Sequence, residues 1–436
     1  SNIKNSTGRL YILADDIWIK DGNDGDMHAR FLHDDASELY FDGGKKLETT
    51  NVGITVTGTV SATSFSGSGE GLTRTTAYSH RNVVINGAMQ VAQRGTTSTG
   101  NTSGGYKTCD RWELSLNTAG TWTVTRSGTC PDGFNHSIKL DCTTANTSLS
   151  STSFLSIRTS FEGQDLRRFA KGTTSAKAMT VSFYVKTNKN GTYAVELYDV
   201  DNTKIATSLY TVSNNNWNRY EFTIPASTNT GQFVNDNNKS MNLGFILAAG
   251  TNFTNGNQYG FFVQGSNLNR AAGLTVNLAD STSNEFYLTG VQLEEGEIAT
   301  PFEHRSFGEE LARCQRYCYR LGGLSKQYQC VATGFIGHNG STDTGKVIVH
   351  LPTTMRTNPS ISVIGTNAFW VHTGGAETGT SDMDAQFGAP WNSASSGNQV
   401  WLDFARTGGG SPNRGVACVV YTKSNNQGEL LFDAEL

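Results

Sequence analysis

Val52-Gly53-Ile54-Thr55-Val56-Thr57-Gly58-Thr59-Val60-Ser61-Ala62-Thr63-Ser64-Phe65 reads as one strand. Val52, Ile54, Val56, Val60 and Ala62 take one face, and Thr55, Thr57, Thr59, Ser61 and Thr63 take the other. Nothing nearby in sequence covers the apolar edge. The next residues, Ser66-Gly67-Ser68-Gly69-Glu70-Gly71, form a flexible Gly/Ser linker, which argues against a local partner strand. Copies of the same chain are the expected partners. Three chains around an axis would bury such narrow stripes and pair the strand edges, so residues 1–80 are expected to form an intertwined trimeric β shaft.

Upstream, Leu10-Tyr11-Ile12-Leu13, Asp16-Ile17-Trp18-Ile19 and Glu38-Leu39-Tyr40-Phe41 are short apolar runs broken by Asp-Gly and Gly-Gly pairs, the pattern of hairpins with tight turns. Asp21-Gly22-Asn23-Asp24-Gly25-Asp26 has calcium-like composition. It departs from EF-hand spacing and has no closing Glu, so turn chemistry is the preferred reading.

Downstream, residues 82–300 hold many strand-length runs punctuated by Asn/Gly turns, among them Ala178–Val185, Tyr193–Tyr198 and Asn242–Leu247, as in a two-sheet sandwich. One strong helix is expected over residues 306–321. Phe307, Leu311, Cys314, Cys318 and Leu321 repeat at intervals of four and three, Ser306 with Glu309 makes a capping box, and Gly322-Gly323 ends it. Two heptads are too short to stand alone, so this seam must pack on sister helices or on the sandwich. From Leu324 to Leu436 short strands return, as in a separate β tip domain.

The composition agrees with an all-β chain: of 436 residues 36% are hydrophobic, 17% are charged and 48 are Gly. A net charge of -4 with scattered Lys and Arg offers no basic stripe, which speaks against a nucleic-acid partner. No apolar run is long enough for a membrane helix, and no signal peptide opens the chain. The start at Ser1 without Met leads us to expect a piece of a longer protein. Seven cysteines, an odd number, fit free thiols and folding in a reducing cytoplasm.

No Walker A loop, dinucleotide fingerprint, nucleophile elbow or H-E-x-x-H motif is present, and neither a catalytic residue nor a cofactor is expected. Glu294, Glu295 and Glu297 could pair as glycosidase carboxylates, but their setting reads as a solvated turn. Cys314, Cys318, Cys330 and His338 lack zinc-site spacing and read as small core residues, so no metal is expected. The tip is more informative. Phe369, Trp370, His372, Trp391 and Trp401 surround a Gly/Ser/Thr/Asp-rich stretch, Thr373 to Gln399, that reads as a long loop. Sugars pack CH faces on aromatic rings and bond hydroxyls to Asp, Asn and His, so Trp370, His372, Asp382, Asp384, Trp391, Asn392 and Trp401 are glycan-binding candidates. The bland alternative makes each tryptophan a core residue.

Several motifs occur in a telling order: Asn86-Gly87-Ala88-Met89-Gln90-Val91-Ala92-Gln93-Arg94-Gly95, Cys109-Asp110-Arg111-Trp112, Gly290-Val291-Gln292-Leu293-Glu294-Glu295-Gly296, Ala299-Thr300-Pro301-Phe302-Glu303 and Cys314-Gln315-Arg316-Tyr317. The chain in this region, and in Leu47–Val56, resembles phage tail fibres. The resemblance implies a homotrimeric adhesin of the virion tail, with a jelly-roll middle like a carbohydrate-binding module over 81–303, a short helical coiled-coil connector over 304–323 and a receptor-contacting tip over 324–436. Its implied partners are sister chains, other phage tail or baseplate proteins and a host cell-surface glycan. The matching motifs read as structural, so no family binding residue carries over. A tail glycan depolymerase and a purely structural spacer are the rival readings; no fixed-period array of the kind depolymerase β-helices show is present.

Overall fold

The computed structural model describes residues 8, 11–22, 25–61, 80–323, 328–337, 344–365, 368–373, 382–390 (backbone only), 398–405 with the backbone of 406, 415–423 and 428–436. Contacts divide the chain into two units, Ser1–Ala77 and Tyr78–Leu436. No helix among the described residues is long and apolar enough to cross a membrane.

The first unit is a five-stranded antiparallel sheet in chain order: Ile17–Lys20, Met27–Phe31, Ser37–Phe41, Gly44–Thr50 and Gly53–Val56. Asp42 and Gly43 both take positive φ, the conformation that a two-residue hairpin turn needs. In the Asp21–Asp26 segment the Asp21 carboxylate accepts the Gly25 N–H at 2.7 Å and the Asp21 N–H reaches the Asp26 carbonyl at 3.1 Å, which is turn chemistry; Asn23 and Asp24 lie outside the described residues.

Two expectations are corrected here. The strand read over 52–65 spans Gly53–Val56, turn and bend follow it, and residues 62–79, including the Gly/Ser linker, are outside the described set. The strand also pairs within its own chain, Leu47 with Val56 and Thr50 with Gly53, because Asn51-Val52 turns it back onto Gly44–Thr50. The apolar face nevertheless stays uncovered. Among the described residues of this unit only Ala29 and Glu38 are buried, whereas Trp18, Phe41, Val52 and Ile54 are more than half exposed. Glu38 is a local tie: it accepts from Arg30, Tyr40 and Lys45, and these bonds, led by Arg30, hold its carboxyl down to about 2.

The second unit begins as a jelly-roll-like sandwich. One sheet runs Asn218–Ile224, Met179–Thr187, Glu285–Glu295, Ser137–Thr144, Thr121–Ser127, Thr97–Asn101; the other runs Val263–Gln264, Lys204–Val212, Gly191–Asp199, Lys239–Ala249, Phe154–Glu162, Glu113–Asn117, Gly105–Tyr106. Alternation explains the pairing. Val181, Phe183 and Val185 from one sheet meet Val195, Leu197, Leu243 and Phe245 from the other, and Phe183 sets its edge on Phe245 at 4.8 Å.

The motifs singled out in the sequence converge at one end of this sandwich. The Asn86 amide donates to the carbonyls of Val91 (2.8 Å) and Asp110 (2.9 Å), its backbone N–H donates to Glu310 at 2.6 Å, and the Trp112 indole donates to the Asn86 carbonyl at 3.0 Å. Gly87 must be glycine, since a Cβ there would lie 2.2 Å from the Val291 carbonyl oxygen. Glu294 and Glu295 end the Glu285–Glu295 strand, and the solvated-turn reading fails for Glu294. It is 2% exposed and accepts from Gln292, the Thr300 N–H and the Thr300 hydroxyl, because the chain after Gly296 folds back over it.

The helix is shorter than expected. It spans Phe307–Gln315, with the Ser306 hydroxyl accepting from the Glu309 N–H at 3.2 Å, and then gives way to a strand, Cys318–Gly322. Cys318 and Leu321 therefore belong to no helical seam; they pair with Asp433 and Leu430. The strand wins because it satisfies its backbone against Glu429–Asp433 and stacks Tyr319 on Phe432 at 6.0 Å. Cys314 is fully buried within the single chain, Leu311 is half-buried and Phe307 stays 56% exposed. Arg316 and Arg320, past the end of the helix, bind Glu162 and Glu429.

Cys318–Gly322, Glu429–Asp433 and Ser360–Ile364 make a small sheet, and Cys330–Ile336, Thr344–His350, Gln399–Arg406, Asp382–Pro390, Phe369–Thr373 and Ala417–Thr422 close into a barrel in that order. The long loop expected over 373–399 thus contains a strand. Met383, Ala385, Phe387 and Ala389 alternate in sequence, a signal hidden by flanking Gly and Ser. All seven cysteines are free, and among the described residues no group of three or more His, Cys, Asp or Glu could hold a metal; His338 is outside that set.

Arg111 joins sandwich to tip. It is 1% exposed, ion-paired to the buried Glu435, stacked 3.5 Å over the Tyr317 ring and bonded to the Ser160 carbonyl. Replacing Arg111 by Ala strands the Glu435 charge, and we expect a loss of about 3–5 kcal/mol in urea unfolding; a loss below 1 kcal/mol contradicts this account. Beside it, burial pushes the Asp110 carboxyl up to about 6 despite the Gln93 donors at 2.6 and 2.9 Å. A carboxyl whose native pKa exceeds its unfolded value destabilises the fold above that pKa, and the penalty is relieved as pH falls from about 6 towards 4. Asp110→Asn should remove about 2–3 kcal/mol of that pH-dependent change, read as the difference between the two proteins' stability curves.

Candidate functional site

Strand alternation sorts the barrel residues into two sets. Phe369, Val371, Val400, Leu402, Phe404 and Val420 are buried inside, so their neighbours Trp370, His372, Trp401, Val419 and Tyr421 sit on the outer face. Trp370 is paired across the ladder with Tyr421, and their rings meet at 5.8 Å nearly edge to face. A third ring joins them: Tyr328 lies 6.1 Å from Trp370 and 6.4 Å from Tyr421. The Lys423 ammonium stands 5.7 Å from the Trp370 ring, and His372 reaches Tyr421 at 6.5 Å.

Tyr328 is held there at a backbone cost. Its φ is +55°, unusual for a bulky residue, and it is 58% exposed, so no core packing asks for this ring. Three bonds to Thr422 enforce the position: Tyr328 N–H to the Thr422 carbonyl (3.0 Å), Gln329 N–H to the Thr422 hydroxyl (3.1 Å) and Thr422 N–H to the Gln329 carbonyl (3.1 Å). Backbone strain concentrates where a side chain must be presented in one place.

The seven glycan-binding candidates separate into three groups. Trp370 and His372 lie together, and the ladder register sets Asp384 opposite Trp370 and Asp382 opposite His372. Trp401 is elsewhere. It stands on Gln399–Arg406, a strand that does not pair with Phe369–Thr373, and its ladder partner is Ile348 of Thr344–His350, so no ladder contact joins it to Trp370. Trp391 and Asn392 lie outside the described residues. Tyr328, Tyr421 and Lys423 were missed. Tyr421 was legible, since Ala417, Val419 and Tyr421 alternate with Cys418 and Val420; Tyr328 gave no signal, its place depending on tertiary bonds to Thr422.

The sandwich carries ring groups of its own: Trp217 meets Tyr287 at 6.2 Å, with Lys139 and Lys186 within 5.8 Å of the Tyr287 ring, and Phe134 gathers Tyr184, Phe302 and His304 within 5.4 Å. On the outer face of its seven-stranded sheet, Phe154, Ala194 and Ile246 are covered by Phe253, Ala271 and Leu274, and the charges there are matched: Arg158 with Glu113 and Arg270 with Glu196.

No protein-family model and no curated protein matches the chain. Solved structures do. An enzymatically active domain of tailspike protein 4 from bacteriophage CBA120 aligns at 12% identity over 49% of this chain and 21% of its own, with a TM-score of 0.27. TmCBM61, solved with β-1,4-galactotriose, aligns at 9% identity over 49% of this chain and 99% of its own, with a TM-score of 0.26. The family 11 carbohydrate-binding module from Clostridium thermocellum, solved with a β-1,3-1,4-mixed-linked tetrasaccharide, aligns at 9% identity over 48% of this chain and 98% of its own, with a TM-score of 0.23. The chain spans only about a fifth of the tailspike domain, and its fold assignment stands on the sheet orders given above.

Because Tyr328 is strained, Tyr328→Gly should leave the thermal midpoint unchanged or raise stability by up to about 1 kcal/mol. A marked fall in calorimetry would make the ring a structural part of the tip.

Proposed function

We propose that the chain is a bacteriophage tail-fibre subunit that attaches the virion to a host cell-surface glycan as a homotrimer, without catalysing a reaction. The observation that carries the glycan reading is the cluster of Tyr328, Trp370 and Tyr421 on the outer face of the tip barrel. Ring faces pack on sugar CH groups, while Lys423 and His372 beside them offer polar contacts to hydroxyls.

Self-association is supported by the first unit. A five-stranded sheet with two buried residues and exposed Trp18, Phe41, Val52 and Ile54 has too little core to stand in water, and sister chains are the partner always at hand. Three weak tip sites per trimer, and several trimers per tail, turn modest affinity into stable attachment.

Two measurements test this. Light scattering of the full chain should give three times the chain mass; a stable monomer at micromolar concentration sinks the fibre reading. Fluorescently labelled trimer should bind susceptible cells and slow phage adsorption. Trp370→Ala should weaken single-site glycan binding by about 10- to 100-fold while mass and melting are kept, the loss expected from uncovering one large ring.

A further inference from the structure

The outer face of the barrel changes chemistry beside the three rings. Thr333, Phe335, Ile348, Ala417 and Val419, with His372, line a trough of about 640 Å³. Its position follows from register. His372 pairs with Val419, Val419 with Thr333 and Thr333 with Ile348, while Ala417 faces Phe335. Trp370 stands two residues from His372, and Tyr421 two residues from Val419, on the same two strands and the same face. Rings and trough are therefore one continuous surface, their centres separated by roughly 7 Å, two residues of extended chain.

The two parts suit different groups. A sugar ring pushed into the trough would set hydroxyls against Phe335, Ile348 and Val419, which offer no hydrogen bond. Phe335 is 41% and Val419 37% exposed, so the trough is open to a ligand. It also exceeds the size of a single methyl and falls within the range of small-molecule sites. What fits is an apolar group carried on a saccharide and reaching roughly 7 Å beyond its ring, two residues along the strands.

We infer that the trough receives the acyl group of an O-acylated saccharide whose ring rests on Trp370 and Tyr421. This rests on the glycan reading above and narrows it to a ligand class.

The test uses the full-length chain on an array of purified bacterial polysaccharides, each printed as isolated and after mild alkaline de-O-acylation. Wild type should bind an acylated form at least tenfold better than its de-acylated pair. Phe335→Ser and Val419→Thr should erase that preference while keeping the weaker binding, whereas Trp370→Ala should lower binding to both forms. Val419→Thr keeps a β-branched side chain and guards against the other variant failing to fold, which thermal melting reports. Equal wild-type binding to both forms, or a preference that survives in the folded trough variants, overturns the inference and leaves the glycan reading standing. Binding to no polysaccharide in either form overturns the glycan reading and the inference with it.

Discussion

Arg111 is a guanidinium withdrawn from water, and three parts of the second unit converge on it. It sits just before Trp112, a core residue of the sandwich, with a backbone φ of +71° that turns its side chain away from that core. Its charge meets Glu435 through Nη1, its face meets Tyr317 and its Nη2 donates to the Ser160 carbonyl. A buried charge of this kind is tolerable only when it is paired and hydrogen-bonded. Those partners come from three places: Glu435 just past the strand Glu429–Asp433, Tyr317 between the helix and the strand Cys318–Gly322, and Ser160 in a strand of the sandwich.

The surrounding contacts repeat the arrangement. Arg94 spans Asp433 and Glu435, Arg316 forks onto Glu162, which also takes the Tyr317 hydroxyl, and Arg356 reaches the carbonyls of Ala434 and Glu435. These are forked cationic contacts to carboxylates and carbonyls, directional where an apolar seam would slide. Sandwich and tip are fastened by geometry, and a pull on the tip meets bonds that fix orientation as well as distance.

The sandwich was legible because its strands alternate cleanly and Asn/Gly turns separate them; Val181, Phe183 and Val185 announce an inner face. The beginning of the helix was legible through Ser306 and Glu309. Its end was not, since Cys314, Cys318 and Leu321 satisfy a four-three spacing by coincidence and nothing local reveals that Glu429–Asp433, more than a hundred residues away, will claim Cys318–Gly322. Long-range pairing decides strands in a way that local periodicity cannot record. The same limit hid Tyr328, whose placement depends on Thr422, and the burial of Glu294, whose partners Gln292 and Thr300 come together only after the turn at Gly296. Trp370, His372 and Trp401 were all picked out by residue type, a signal that says nothing about position around a barrel.

Why the rings can stand exposed on the tip follows from closure. An open sheet that displays aromatic and apolar residues also displays unpaired strand edges, and the two together invite unspecific association. In the five-stranded sheet of the first unit the edges, Ile17–Lys20 and Gly53–Val56, carry Trp18, Ile19, Ile54 and Val56 in the open, which is a surface made to be covered. The barrel is different. All six strands are paired on both sides, so the exposed Tyr328, Phe335 and Val419 and the half-buried Trp370 and Tyr421 stand without any free ladder bonds beside them. Such a surface recognises through side chains alone, and a ligand that meets it finds ring faces with Lys423 and His372 at their edge, and no backbone ladder to bond. That condition favours a flat CH face or an ester over a strand of peptide.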